Sequence, residues 1–384
     1  MRTKLLAYIG HETDDSICAR PEIREARQMF GLFAKWCCFS AGLIIAGSLF
    51  VLSSCIGGRY ESSPIRSDAD QPQAPQTSDR TARFVAVGDI MLSRGVARAI
   101  DRAGSSEYPF SKLDNILLNS DLNFGNLESP ISGNDRRLGK GLIFNAKTGD
   151  LDGLVSYKFK VVNLANNHAF DQGLNGMRST AAFLEKRGIA HIGVGRDQDE
   201  AWLPAVIEAN GIRIAFIGAS YATLNDGGAT RNGHVARVED IRLLEDAISR
   251  AKARSDLVVV TMHAGEEYTR KPNRSQISFA HAAVDAGADL VIGAHPHWIQ
   301  TMQVYRGKPI FYSLGNFVFD QPWSETRTGL MLRVTVCGSV IEQIEMLPVV
   351  IERGAPRQAT AIETKQILSK IGINDSMFRP EALK

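Results

Sequence analysis

The sequence predicts an α/β fold with a strand-rich, α+β-like end, built as a single large domain. Three observations predict it. Short apolar runs alternate with helix-patterned stretches through the first part of the folded region, and strand patterns dominate later. The runs are apolar throughout, without polar alternation, which suits strands covered on both faces. Polar residues of ligand type stand at the ends of several runs, where open α/β sheets place their ligands.

The 384 residues suffice for one large or two medium domains. A net charge of +2 gives no reason to expect nucleic acid as a partner. Cys18, Cys37, Cys38, Cys55 and Cys337 form neither a C-x-x-C pair nor a zinc-ribbon spacing.

Residues 36–58 carry no charge, and Trp36 to Leu52 is apolar, with Lys35 before it and Arg59 after it. That layout reads as a secretory signal over 29–55. Its end, Leu52-Ser53-Ser54-Cys55, resembles the bacterial lipobox, which implies cleavage before Cys55 and a diacylglycerol on its thiol. An uncleaved anchor is the alternative, since roughly 20 apolar residues span a bilayer; the cysteine at that place favours the lipoprotein. Either way the bulk of the protein is expected outside the cytoplasm, periplasmic or at the cell surface. Residues 1–28 are charged and too long for a signal's first region, so translation is expected to start at Met29. Residues 56–82 are polar and hold Gln71-Pro72-Gln73-Ala74-Pro75-Gln76, the composition of a flexible linker.

The domain is expected over 83–350. Phe84 to Val87 is a strand leading into Gly88-Asp89-Ile90-Met91, and helical patterns follow at Val96 to Arg102 and Pro109 to Leu118. Asp121 to Phe124 leads into Gly125-Asn126-Leu127-Glu128, and Lys160 to Leu164 into Ala165-Asn166-Asn167-His168. Leu174 to Arg187 reads as a helix with Ala181, Ala182 and Leu184 inward and Gly188 as its stop. Ile189 to Ile192 is a short strand. Ala205 to Glu208 and Ile212 to Ile217 form a hairpin on Asn210-Gly211. Helices at Val238 to Ala253 and Ser275 to Ala286 flank a strand, Asp256 to Thr261, that ends in Met262-His263. Asp289 to Ile292 runs into Gly293-Ala294-His295-Pro296-His297. Thr301 to Tyr305, Ile310 to Ser313, Leu330 to Val336 and Val340 to Val349 close the domain, and 351–384 reads as a polar tail.

Taken singly, each polar signature has an ordinary reading. Asp89 suits a helix N-cap, Glu128 a solvated loop, Asn166-Asn167-His168 a turn, and His263 a satisfied core histidine. Together Asp89, Glu128, Asn167, His168, His263, His295 and His297 offer carboxylate, amide and imidazole donors at strand ends. That mixed set suits one or two divalent ions, Zn, Mn or Fe, with no thiolate competing.

Six motifs in order resemble the CapA family of bacterial capsule or poly-γ-glutamate biosynthesis proteins. They are Gly88 to Met91, Gly125 to Glu128, Asn166 to His168, Met262 to Tyr268, Gly293 to His297 and Tyr312 to Asp320. That family is similar to the calcineurin-like metallophosphoesterases, which implies a β-sandwich flanked by helices. The resemblance implies Asp89 and His297 at one metal, Asn167, His263 and His295 at the other, Glu128 bridging and His168 as acid. Asn126, Glu266, Asn316 and Asp320 are expected to line the crevice. The phosphoesterase Asp-x-His reads Asp89-Ile90-Met91 here, so one imidazole is missing. The implied function is a membrane-anchored hydrolase or transferase acting on an anionic envelope polymer such as poly-γ-glutamate, through a phosphoester or γ-glutamyl amide. The alternative is a non-catalytic subunit that tethers polymer or membrane synthase subunits.

Overall fold

The computed structural model describes residues 80–134, 143–221 and 233–373. The extension over 1–28, the signal segment with Cys55, the linker up to residue 79 and the last part of the tail, 374–384, lie outside the described residues. Among the described residues no helix is long and apolar enough to cross a membrane.

Alternation of strand and helix occupies the first half, as the apolar runs require. β1 (Thr81–Ile90) leads to α1 (Arg94–Ala103), then β2 (Leu122–Leu127), β3 (Phe159–Asn163), α2 (Gly173–Glu185) and β4 (Ala190–Ile192). β5 (Ala205–Ala209) and β6 (Ile212–Ser220) form the expected hairpin, with Asn210 at φ 50° and Gly211 at φ 75°. Two central residues at positive φ match the twist of the flanking strands, which is why an Asn-Gly pair signals this turn. α3 (Ile241–Lys252), β7 (Leu257–His263), α4 (Arg274–Ala286) and β8 (Leu290–Ala294) follow. β9 (Met302–Tyr305), β10 (Lys308–Phe311), β11 (Asn316–Val318), β12 (Thr328–Cys337), β13 (Val340–Glu352), β14 (Ala355–Gln358) and α5 (Ala361–Ser369) complete the domain.

The strands make two sheets. One runs β14-β13-β12-β1-β2-β3-β4, with β11 also paired to β1; the other runs β5-β6-β7-β8-β10-β9. Pairs β1–β2, β2–β3 and β3–β4 are parallel, so the first sheet has a parallel half ending at β4 and an antiparallel half; β6–β7, β7–β8 and β8–β10 are parallel, so the second has a parallel centre between antiparallel flanks. One core lies between the sheets: Phe84 and Phe124 from the first meet Phe216 and Val259 from the second. A second core covers the outer face of the first sheet, where Val85 and Val87 pack with Val96 and Ile100 of α1 and Met177 of α2. A third covers the outer face of the second sheet, where Leu244, Ala247, Ile248 and Ala251 of α3 pack with Phe279 of α4. This is a sandwich flanked by helices, as the resemblance implies. With both faces of each parallel strand covered, alternation disappears, and the burial of every residue of β2 and β7 shows it.

Several expectations need correction. The helix expected over Pro109 to Leu118 is a 3-10 turn at Ser111–Leu113 and a single α-turn at Asp114–Leu117. α2 turns Met177, Thr180 and Leu184 inward, whereas Ala182 is exposed, because that face is set by the sheet beneath it. The polar tail is folded up to residue 373: β14 pairs with β13, and Ile367, Leu368, Ile371 and Ile373 enter the inter-sheet core. β11 was not anticipated; three residues are too few to show a period.

Candidate metal centre

The carboxyl ends of the two sets of parallel strands meet. Register places Asp89 of β1 opposite Asn126 of β2, which is in turn opposite Asn163 of β3. In the other sheet His263 ends β7 opposite Ala294, and His295 and His297 follow β8. Both histidines have left-handed backbones, φ 98° and 56°, a strain of about 1–3 kcal/mol each that surrounding contacts must hold. One such contact is the His295 N–H donating to Asp89 Oδ2 at 3.3 Å.

Asn163 Nδ2 donates to Asn126 Oδ1 at 2.9 Å, and Asn126 Nδ2 donates to Asp89 Oδ1 at 2.8 Å and lies 3.0 Å from His263 Nδ1. His263 Nε2 lies 2.7 Å from Asn167 Oδ1 and 3.8 Å from Glu128 Oε1. His297 Nδ1 lies 2.8 Å from Asn316 Oδ1 and 3.6 Å from Asp89 Oδ2. His168 stacks on Phe144 at 4.0 Å; its Nδ1 is 2.7 Å from Asp171 Oδ2, and its Nε2 faces Glu128 Oε1 at 3.6 Å. All of the expected ligand residues are buried, and the structure brings them together.

The donor atoms fall into two sets that share one carboxylate. Glu128, His263 and His295 converge within 4.8 Å of one another, and so do Asp89, Glu128 and His297. Glu128 has no exposed surface, and neither of its side-chain oxygens has a hydrogen-bond partner. Burial raises its pKa well above the usual carboxylate range, and the charges of Asp89, Glu267 and Asp171 add to this, with Arg94 opposing. The Nδ1 of His295 is likewise buried without a partner. Burial and the neighbouring imidazoles His297 and His168 push His295 down to about 3. His263 is held well below the usual range, by burial first and then by His295, His297 and His168. Neutral imidazoles and an unpartnered carboxylate are the forms that bind a cation, and isolating them this way is costly without one. The residues present therefore fit divalent ions.

Two expected crevice residues are placed elsewhere. Glu266 is exposed; Glu267 beside it is the carboxylate whose charge reaches Glu128. Asp320 turns to Arg94 and accepts from the Gly95 N–H at 2.8 Å, pinning the start of α1. Asn126 and Asn316 do line the site. Asn163 and Arg94 escaped sequence reasoning, because an amide inside an apolar strand and an arginine at a helix start carry no spacing signal. Asp171, three residues after His168, is that imidazole's partner.

The profile of the family described as bacterial capsule synthesis protein PGA_cap matches residues 83–321. The chain belongs to this family. The six motifs therefore identified it correctly. Among PGA_cap relatives, the capsule biosynthesis protein CapA of Bacillus anthracis is 33% identical over 306 residues, 77% of this chain and 74% of that protein. The PGA biosynthesis protein CapA of Bacillus subtilis (strain 168) is 32% identical over 315 residues, 81% of this chain and 82% of that protein. Among solved structures, the calcineurin-like phosphoesterase YfkN from Bacillus subtilis aligns with a TM-score of 0.39 and 15% identity, covering 73% of this chain and 88% of that one.

Proposed function

We propose that this PGA_cap domain is a metal-dependent hydrolase or transferase acting on an anionic envelope polymer such as poly-γ-glutamate. It works outside the cytoplasm, tied to the membrane by a lipid on Cys55, beside membrane synthase subunits. Glu128 carries the reading of the site. A fully buried carboxylate with two unpartnered oxygens, shared by two sets of donors, is stable only when cations take the place of hydrogen bonds. The relatives' names support the polymer, and Leu52-Ser53-Ser54-Cys55 supports the anchor.

Asp89, Glu128 and His297 would hold one ion, and Glu128, Asn167, His263 and His295 the other. Bound divalent ions supply Lewis acidity toward an oxyanion and activate water near neutral pH. The protein's own groups do the rest. Asp171 fixes the His168 ring through Nδ1, Phe144 prevents it from turning, and Nε2 is left to hold a proton for the leaving group of a phosphoester or γ-glutamyl amide. Phe144, itself buried, covers one face of that ring.

The test is metal content of the full chain in detergent, purified without chelator, beside the His263→Ala/His295→Ala double variant. About one or two equivalents of Zn, Mn or Fe in the parent and a loss in the variant are expected. A folded parent that takes up no metal, even after reconstitution, overturns the reading. It would leave the tethering subunit, which Met91 in place of an imidazole also favours; polymer binding would then survive the double substitution.

A further inference from the structure

The first metal position is one side chain short. Met91 stands where the phosphoesterase pattern has a histidine, and its thioether already accepts from the Ser93 N–H at 3.0 Å. We propose that Asn316 fills that gap, with Oδ1 as a ligand to the ion that Asp89, Glu128 and His297 hold. This rests on the two-ion reading above.

Chain path puts Asn316 there. β11 runs parallel to β1, with Asn316 in register opposite Asp89, so both side chains leave neighbouring strands at one level. Asn316 has no exposed surface. Its amide nitrogen is committed twice, to Gln321 Oε1 at 3.1 Å and to the Thr326 carbonyl at 2.8 Å. Turning the amide over would set Oδ1 against two oxygen acceptors, so Oδ1 must face the site. There it lies 2.8 Å from His297 Nδ1, which is 3.6 Å from Asp89 Oδ2. Donor atoms around one ion at about 2.1 Å are spaced roughly 3.0–3.4 Å apart, close to both separations. The Tyr312 to Asp320 motif thereby gains a role: it delivers the further ligand on β11.

The test is calorimetric titration of the chelated full chain in detergent with Mn(II) and with Zn(II), for the parent, Asn316→Leu and Asn316→Asp. Metal content is measured in parallel, and ¹⁵N NMR of the imidazoles in the Zn-loaded parent. Two equivalents are expected in the parent. In Asn316→Leu one of them should weaken by roughly 100-fold or more while the other stays, and Asn316→Asp, which keeps the oxygen, should retain both. NMR should show His297 coordinating through Nδ1. Two unchanged equivalents in Asn316→Leu, or coordination of His297 through Nε2 with Nδ1 still protonated, overturn the proposal while sparing the two-ion reading. A parent that binds no metal sinks both. Should Asn316→Leu fail to fold, Asn316→Ser, which shortens the side chain out of reach, is read in the same way.

Discussion

At the scale of single residues, Glu128 is where the proposed ion binding and stability conflict. In chelated protein it is a buried carboxylate beside Asp89 with no partner for either oxygen. Its folded pKa is raised, so its contribution to stability is full below the unfolded value of about 4.3 and is lost as pH rises through the folded value. His263 and His295 run the other way. Their folded values are depressed, to about 3 for His295, so the unfolded chain takes up protons first as pH falls below about 6.5. Stability then falls by about 1.4 kcal/mol per pH unit for each imidazole that stays neutral. We predict that Glu128→Gln, melted in urea with chelator, is more stable than the parent at pH 8 and indistinguishable from it at pH 4, and that it binds no metal. An equal difference at both pH values would contradict the assignment. A parent whose chelated form is as stable at pH 4 as at pH 6.5 would contradict the depressed imidazoles.

At the scale of elements, the histidine loop depends on how closely β8 approaches the chain beyond β10. A Cβ on Gly293 would sit 1.9 Å from the Tyr312 carbonyl oxygen, which is backbone and cannot swing aside. Gly293→Ala must part the two strand ends, with a cost of about 3 kcal/mol from overpacking. His295 and His297 follow directly, already at positive φ, and would lose their aim. A thermal melt should show the destabilisation, and metal content should fall with it; a variant with full metal content would show that the loop is held from elsewhere. The same scale explains what was legible. The β5–β6 hairpin showed in the sequence because Asn210-Gly211 is a local signal. β11 did not, because its strand character comes from pairing with β1, distant in sequence.

At the scale of the whole molecule, the end of the domain lies beyond residue 350. Residues 351–373 read as polar because few of them face inward, yet Ile367, Leu368, Ile371 and Ile373 seal one end of the inter-sheet core. Each such side chain contributes about 1.5–3 kcal/mol when buried, against a total of about 5–15 for a domain. A chain ending at Val350 should therefore lack a cooperative melt and be cut rapidly by protease. Persistence of the parent's melting temperature would show that β14 and α5 are ornamental.

The sequence by itself determined most of the strands and helices, the family, and most of the polar side chains that gather at the site. Those follow from local causes: apolar runs, turn residues, and polar motifs placed at strand ends by a known topology. Tertiary structure alone decided the rest. It turned Asp320 away to α1, left Glu266 on the surface, brought Asn163 and Asp171 in as partners of the site, and set Asn316 against His297. The physical reason is distance along the chain. Asp89 and Asn316 become neighbours only when β11 pairs with β1, and no pattern within a single segment encodes a contact that two segments make together.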